Sequence, residues 1–338
     1  MKRMAFGVVL ALVLWLAGDT LAQDSFFKGK TIRIIVGLSP GGGYDTYSRL
    51  VARHLGKHLA GNPTVIVENM PGAASLIAAN HIYKVARADV LTIGHFLGGL
   101  FMQQLLEKPG IEFDARKFEY IGVPAQDHFV LALSRAAGVT SAEQWMASKR
   151  IVKIGGVGTG SPTDDIPRIL VATIGLPVQL VTGYKGTAEV RLAFNSGEVN
   201  GVCNAWESLR ATWRKELDAG EVNLVLQASG RSHPDMAKIP LAISFARTDE
   251  ARRLIEAGVH SVPPTARPYV LPPGTPKDRV EILRRAFMDT MKDPELLAEA
   301  QKAKLDINPA DGKELERSVR DLFALEPALV ARLKEILR

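Results

Sequence analysis

The chain runs to 338 residues, enough for two domains at roughly 150 residues each. With 46% hydrophobic and 23% charged residues it has a globular balance, which excludes an intrinsically disordered chain and a multi-span membrane protein. The net charge of +6 is spread along the chain without a dense basic run, so no nucleic-acid partner is expected, and the single cysteine, Cys203, excludes a disulfide framework and a cysteine-cluster metal site.

Lys2 and Arg3 precede an apolar stretch from Met4 to Leu16, and Ala17-Gly18-Asp19-Thr20-Leu21-Ala22 follows as a polar tail ending in a small residue. That is the layout of a secretory signal peptide. Its apolar core of about 13 residues is too short for the roughly 20 that a spanning helix needs. Residues 1–22 are therefore expected to be removed after Ala22, leaving a chain that works in a bacterial periplasm. No cysteine stands there to carry a lipid anchor. ATP and nicotinamide cofactors are scarce in that compartment, and neither a cofactor nor a metal is expected.

Thr31 to Val36 (TIRIIV) is a compact β-rich run closed by Gly37-Leu38-Ser39-Pro40-Gly41-Gly42-Gly43. From Tyr44 the spacing turns helical, with Tyr47, Leu50, Val51, Leu55 and Leu59 on one face. The cadence recurs with a strand at Thr64 to Val67, the loop Glu68-Asn69-Met70-Pro71-Gly72, a helix through Ala86 and a strand at Val90 to Ile93. Repeated β-loop-α units predict an α/β fold with a parallel, doubly wound sheet and a ligand crevice at the strands' carboxyl ends. A second series predicts a second α/β lobe, with strands at Phe129 to Leu133, Val152 to Gly155, Val178 to Val181 and Val199 to Cys203, and helices at Asp164 to Ile174 and Thr187 to Asn195. The tail carries helical patterns at Lys277 to Met291, Pro294 to Lys304 and Gly312 to Leu337, expected to pack back on the first lobe. The division is then 23–124 with 230–338 for lobe 1 and 125–229 for lobe 2. The chain is expected to cross between lobes near 121–125, 226–229 and 267–271, with Val262 to Pro268 as a turn-rich return.

Gly37-Leu38-Ser39-Pro40-Gly41 matches the G-x-S-x-G elbow of α/β-hydrolases. The match fails on mechanism, because the residue after the serine must supply an oxyanion-hole N–H and here it is Pro40, which has none. The loop reads better as an anion cradle, where glycines admit close approach and the following helix N-terminus offers free N–H groups. Gly155-Gly156-Val157-Gly158-Thr159-Gly160-Ser161 is a second such loop, short of G-x-G-x-x-G because Ser161 replaces the third glycine. Two loops suggest two helix N-termini facing one another across a cleft, a clamp for a small anion.

His54 and His58 are spaced i, i+4, but Leu55 stands where H-E-x-x-H needs its glutamate, and the pair is expected to face solvent. Asp164 and Asp165 point about 100° apart on a helix and suit a dipole-favoured first turn. Trp206 and Trp213 read as core or cleft walls, and Cys203 as a buried small hydrophobe.

Thr31 to Val36 followed by Ser39-Pro40-Gly41-Gly42-Gly43-Tyr44-Asp45, then Val67-Glu68-Asn69-Met70-Pro71-Gly72-Ala73, resembles the opening signature of the tripartite tricarboxylate transporter receptor family, the Bug-type extracytoplasmic solute receptors. Gly158-Thr159-Gly160-Ser161-Pro162, Tyr184-Lys185-Gly186-Thr187-Ala188, Ser196-Gly197-Glu198-Val199 and Pro272-Pro273-Gly274-Thr275-Pro276 continue the similarity in order over nearly the whole chain after residue 22. The resemblance implies a two-lobed periplasmic binding fold that closes on a small organic carboxylate and hands it to the membrane permease subunits of a tripartite transporter, as a monomer and without catalysis. It also implies a carboxylate held by backbone N–H groups, hydroxyls and ordered water rather than by an arginine.

Matching positions place Leu38, Ser39, Gly42, Gly43, Tyr44 and Asp45 at the ligand from the first lobe, with His95 and Phe96 on the same wall. From the second lobe the resemblance implies Thr159, Gly160, Ser161 and Thr163, then Tyr184 and Gly186, then Asn204 and Trp206. There are departures. Leu38 and Ser39 stand where an aromatic residue and an alanine are common, Tyr44 replaces a small residue, Asn204 replaces an aspartate, and Asp164-Asp165 replaces Ser-His. A larger Tyr44 would reshape the pocket, so monocarboxylates and aromatic acids stay open beside dicarboxylates. Two other functions remain open at this point: a sensory module signalling to a membrane kinase, and a secreted hydrolase using Ser39.

Overall fold

A computed structural model describes residues 26–338; the expected signal peptide, residues 1–22, lies outside the described residues. The β-rich run at the start becomes β1 (Thr31–Val36), with Ile32, Ile34, Ile35 and Val36 fully buried. It pairs in parallel with β2 (Thr64–Asn69) and β3 (Thr92–His95). The rest of this six-stranded sheet is antiparallel: β10 (Tyr269–Leu271) lies between β3 and β4 (Glu119–Val123), and β11 (Ala310–Asp311) borders β4. Its order is β11-β4-β10-β3-β1-β2.

The second sheet has five strands, β5 to β9 in chain order, with β6 (Val152–Gly156) and β8 (Gly201–Ala205) at its middle, β7 (Val178–Thr182) on one edge, and β5 (Phe129–Ser134) followed by β9 (Val222–Gln227) on the other side. β6 is parallel to β7 and β8, while β5 runs antiparallel to β8 and β9. The two-lobed α/β fold is therefore present, but each sheet is mixed rather than wholly parallel. The cause is the chain path: strands entering from the other lobe, β5 and β10, meet their neighbours head to tail.

Two helices of the first lobe matter for the cleft, α1 (Gly43–Leu55) and, after α2 (Leu76–Lys84), α3 (Gly99–Leu105). The second lobe carries α4 (Ala142–Ser148), α5 (Pro162–Ile174), α6 (Thr187–Asn195), α7 (Trp206–Thr212) and α8 (Arg214–Asp218). Then follow α9 (Asp249–Ile255), α10 (Lys277–Thr290), α11 (Pro294–Ala303), α12 (Gly312–Phe323) and α13 (Pro327–Ile336).

The tail corrects the sequence reading in two ways. The pattern from Gly312 to Leu337 is two helices, because Pro327 drives the preceding residue out of helical space and Glu326 is extended (φ −58°, ψ 135°). Leu283, Phe287, Leu296 and Leu315 of α10 to α12 join the core of the first sheet as expected. Leu333 of α13, however, packs in the core of the second sheet with Ile169 and Leu170 of α5 and Leu254 and Ile255 of α9. Ala242 and Ala246 join the same core, so the chain stays on the second sheet well past 229 and returns to the first only at β10. Among the described residues no helix is long and apolar enough to cross a membrane.

Candidate ligand-binding cleft

β1 ends at Val36 and α1 starts at Gly43, whose N-cap, Gly42, is extended and has no side-chain cap. The first N–H groups of a helix have no acceptor within it, so those of Gly43, Tyr44 and Asp45 are open toward the loop. Asp45 holds the loop rather than the helix end. Its Oδ2 accepts from the Gly41 N–H (2.9 Å) and from Arg49 Nε (2.9 Å), and its Oδ1 accepts from Asn69 Nδ2 (3.1 Å).

The partner across the cleft is the N-terminus of α6, whose N-cap is Gly186, again extended and uncapped. A Cβ on Gly42 would stand 2.9 Å from Thr187 Oγ1 and 3.8 and 3.9 Å from the Thr187 and Ala188 amide nitrogens. A Cβ on Gly186 would stand 2.6 Å from Ser39 Oγ, and one on Gly43 would collide with Ser208 of α7. The Ser39 N–H donates to the Lys185 carbonyl (3.2 Å), and the Ser39 hydroxyl donates to Glu189 Oε2 (2.7 Å). Glycines at 42, 43 and 186 thus let the two lobes touch where two helix N-termini meet.

This replaces the expected facing pair. The N-terminus of α5 is closed by its own side chains: Thr163 Oγ1 accepts from the Val157 N–H (3.0 Å), Asp164 Oδ2 from Gly158 (2.8 Å), Asp165 from Gly160 (3.0 and 3.1 Å) and Ser161 Oγ from Thr163 (3.3 Å). Its loop faces α3, where Gln103 Nε2 donates to Asp165 Oδ2 (2.9 Å) and Gly99 abuts the Gly160 carbonyl. Of the donors that the second glycine loop was expected to offer a ligand, the N–H groups of Val157, Gly158, Gly160 and Ser161 are already paired, and the Ser161 hydroxyl is paired with Thr163 Oγ1.

Burial pushes the Asp165 carboxyl up to about 7, with Asp164 beside it adding repulsion against the pull of the Gly160 N–H. Between about pH 4 and this value the folded chain keeps a proton that the unfolded chain has lost. The resulting stability is complete below about pH 4 and is lost as pH rises through about 7, by roughly 1.4 kcal/mol per unit at most. Asp165→Asn is expected to flatten that slope, measured as urea midpoints from pH 5 to 8. Identical slopes in both forms would mean that Asp165 is ionised in the fold.

The other sequence-selected residues divide. His95 ends β3 with its ring between Tyr44 and Tyr269, at centroid distances of 4.8 and 4.1 Å. Its Nδ1 donates to the Pro268 carbonyl (3.1 Å), which leaves Nε2 as a buried acceptor without a partner. Burial pushes its pKa down to about 3, so the ring is neutral. Phe96 is not on the cleft wall: it packs in the first-lobe core against Phe101 and Phe118. The side chain of Leu38 joins the same core. The Thr159 carbonyl accepts from Lys108 Nζ (3.1 Å), and the Tyr184 hydroxyl donates to Glu198 (2.7 Å). Asn204 Oδ1 accepts from the Ala205 N–H, leaving Nδ2 buried without a partner, and Trp206 Nε1 donates to Asp235 (3.1 Å).

His54 and His58, expected at the surface, both pair with the first lobe's tail: His54 is 6% exposed and pairs with Glu299 (2.8 Å), and His58, half-buried in the turn after α1, pairs with Asp293 (2.9 Å), tying this end of α1 to α11. Cys203 and Trp213 are fully buried, as read.

Sequence reasoning passed over Arg267. It is 1% exposed; Nε donates to Asp127 Oδ1 (2.6 Å) and Nη2 to Ser208 Oγ (2.6 Å). The guanidinium lies over the rings of Tyr44 and Tyr47, 4.8 and 4.9 Å from their centroids. The Tyr44 hydroxyl donates to the Ala266 carbonyl (2.5 Å) beside it. The one available signal was a charged residue inside the Pro-rich return from 262 to 268.

The model of the family described as tripartite tricarboxylate transporter family receptor matches residues 47–334. A UPF0065 protein of Bordetella bronchiseptica is 23% identical over 337 residues, covering 96% of this chain and 90% of its own. A second UPF0065 protein, from Cupriavidus necator, is 23% identical over 325 residues, with 92% and 90% covered. Among solved structures, the periplasmic binding protein BugD superposes with a TM-score of 0.74 at 20% identity, covering 91% of this chain and 97% of its own. MatC from Rhodopseudomonas palustris with bound malate gives 0.69 at 17% identity, covering 91% and 99%, and an R. palustris protein with adipate gives 0.72 at 21%, covering 90% and 97%.

Proposed function

Because the chain belongs to the tripartite tricarboxylate transporter receptor family, we propose that it captures a small organic carboxylate between its lobes in the periplasm and presents the closed form to a membrane permease. The observation that carries this reading is the meeting of two uncapped helix N-termini, α1 at Gly42 and α6 at Gly186, where the lobes touch. Each N-terminus carries about half a positive charge with unpaired N–H donors, which favours an anion without a net charge on either lobe. Ser39, Gly43 and Tyr44 complete the first-lobe side, and Thr187 the second. Opening about the crossings near 124–128 and 266–268 would admit one carboxylate between the two helix ends, and reclosure would bring both to it.

Neighbours of similar fold lend the ligand class: malate and adipate are the molecules held by two of them. Native mass spectrometry of the exported protein is expected to show a chain beginning at Gln23, and a thermal-shift screen of carboxylic acids is expected to find a stabilising ligand. At 100 times its dissociation constant a ligand adds roughly 2.7 kcal/mol. A screen that is flat across mono-, di- and aromatic carboxylates would overturn the carboxylate reading.

A further inference from the structure

We propose that Arg267 is the cleft's charged carboxylate-binding residue, acting with the first-turn N–H groups of α1; this rests on the carboxylate-receptor reading above. A guanidinium has five N–H donors in a fixed fork. In Arg267, Nε and Nη2 are used by Asp127 and Ser208, whereas Nη1 is buried and has no acceptor. Nη1 lies 3.3 Å from where a Cβ on Gly43 would stand, at the uncapped start of a 13-residue helix. A charged donor without an acceptor therefore lies beside the uncapped start of α1, with Ser208 Oγ between the two lobes at the same place.

The arginine is also pre-oriented. Asp127 fixes one edge of the guanidinium and the rings of Tyr44 and Tyr47 lie against it, so little side-chain freedom is lost when an anion binds. A carboxylate has two oxygens: one can accept from Nη1 while the other accepts from α1, a charge-assisted arrangement stronger than backbone donors alone. Ser208 stands on α7 of the second lobe and occupies the adjoining space, so it would draw back as the lobes part to admit the ligand. The arrangement departs from the arginine-free carboxylate site that the family resemblance implies.

The test uses the full exported chain and isothermal titration with malate, adipate, hexanoate and benzoate, together with the primary amide of whichever acid binds best. Arg267→Met is made together with Asp127→Leu, so that no buried charge is left unpaired, and folding is checked by circular dichroism. The acid is expected to bind the double variant about 100-fold more weakly, and the amide to bind wild type and variant within threefold. Arg267→Lys, which retains the buried charge but not the fork, is expected to lose at least about tenfold for the acid. Equal acid affinity in wild type and variants overturns the assignment while the receptor reading stands, and parallel loss of acid and amide assigns Arg267 to cleft shape instead. If none of the four acids binds the wild type, the carboxylate reading falls and this assignment falls with it.

Discussion

Gly43→Ala is expected to leave both lobes folded and to weaken ligand binding by about 10- to 100-fold. Alanine suits the first position of a helix, and Gly43 has an ordinary negative φ, so the first lobe accommodates the methyl group. What it cannot accommodate is closure, because the added Cβ would run into Ser208 Oγ and stand 2.8 Å from Ser208 Cβ on the opposite lobe. Overpacking of this kind costs about 1–3 kcal/mol, and here it falls only on the closed form. Adding Ser208→Gly removes both clashing atoms and is expected to restore most of the lost affinity. Titration of the two single variants and the double variant checks this, with small-angle scattering reporting closure. A Gly43→Ala chain that binds and closes like the wild type would show that the lobes do not meet here when a ligand is held.

Asp127→Ala is expected to destabilise the folded chain by about 3–5 kcal/mol, because it strands the Arg267 guanidinium in the interior without its counter-charge. Asp127 itself is 3% exposed, and burial pushes its carboxyl up to about 6 although Arg267 favours the ionised form. The pair therefore gains little over an apolar substitute, yet breaking it is costly. Replacing both partners together, as Arg267→Met with Asp127→Leu, is expected to recover most of the loss. Urea midpoints for the single and double variants measure it; a single variant within about 0.5 kcal/mol of wild type would mean that the guanidinium finds water or another acceptor.

The local grammar of the chain was readable with few errors. β1 runs from Thr31 to Val36 and α6 from Thr187 to Asn195, both with the predicted limits, since each is bounded by glycine or a helix start and carries a clear period. The family signature, and with it the two-lobed α/β fold, also lies in contiguous residues. β10 and β11 have three and two residues, too few to carry a period, and they exist only because β3 and β4 offer open edges. The pairing of His54 and His58 was equally hidden, since Glu299 and Asp293 lie more than two hundred residues further along the chain.

The site shows the same boundary. The first glycine loop and the uncapped start of α1 follow from residues 37–44 alone, because backbone freedom and free N–H groups are local properties. Which second helix faces them was not local. The sequence of the second glycine loop is the richer of the two candidates, but Asp164 and Asp165 reach back and take its donors, while the plainer Gly186-Thr187 start is left open and opposite. Arg267 and Asp127 stand 140 positions apart and meet only because two chain crossings run side by side. Periodicity, glycine placement and the family's contiguous motifs belong to the sequence by itself. The pairing of helix ends and the burial of a charge belong to the tertiary structure, because they depend on which distant groups share one desolvated space.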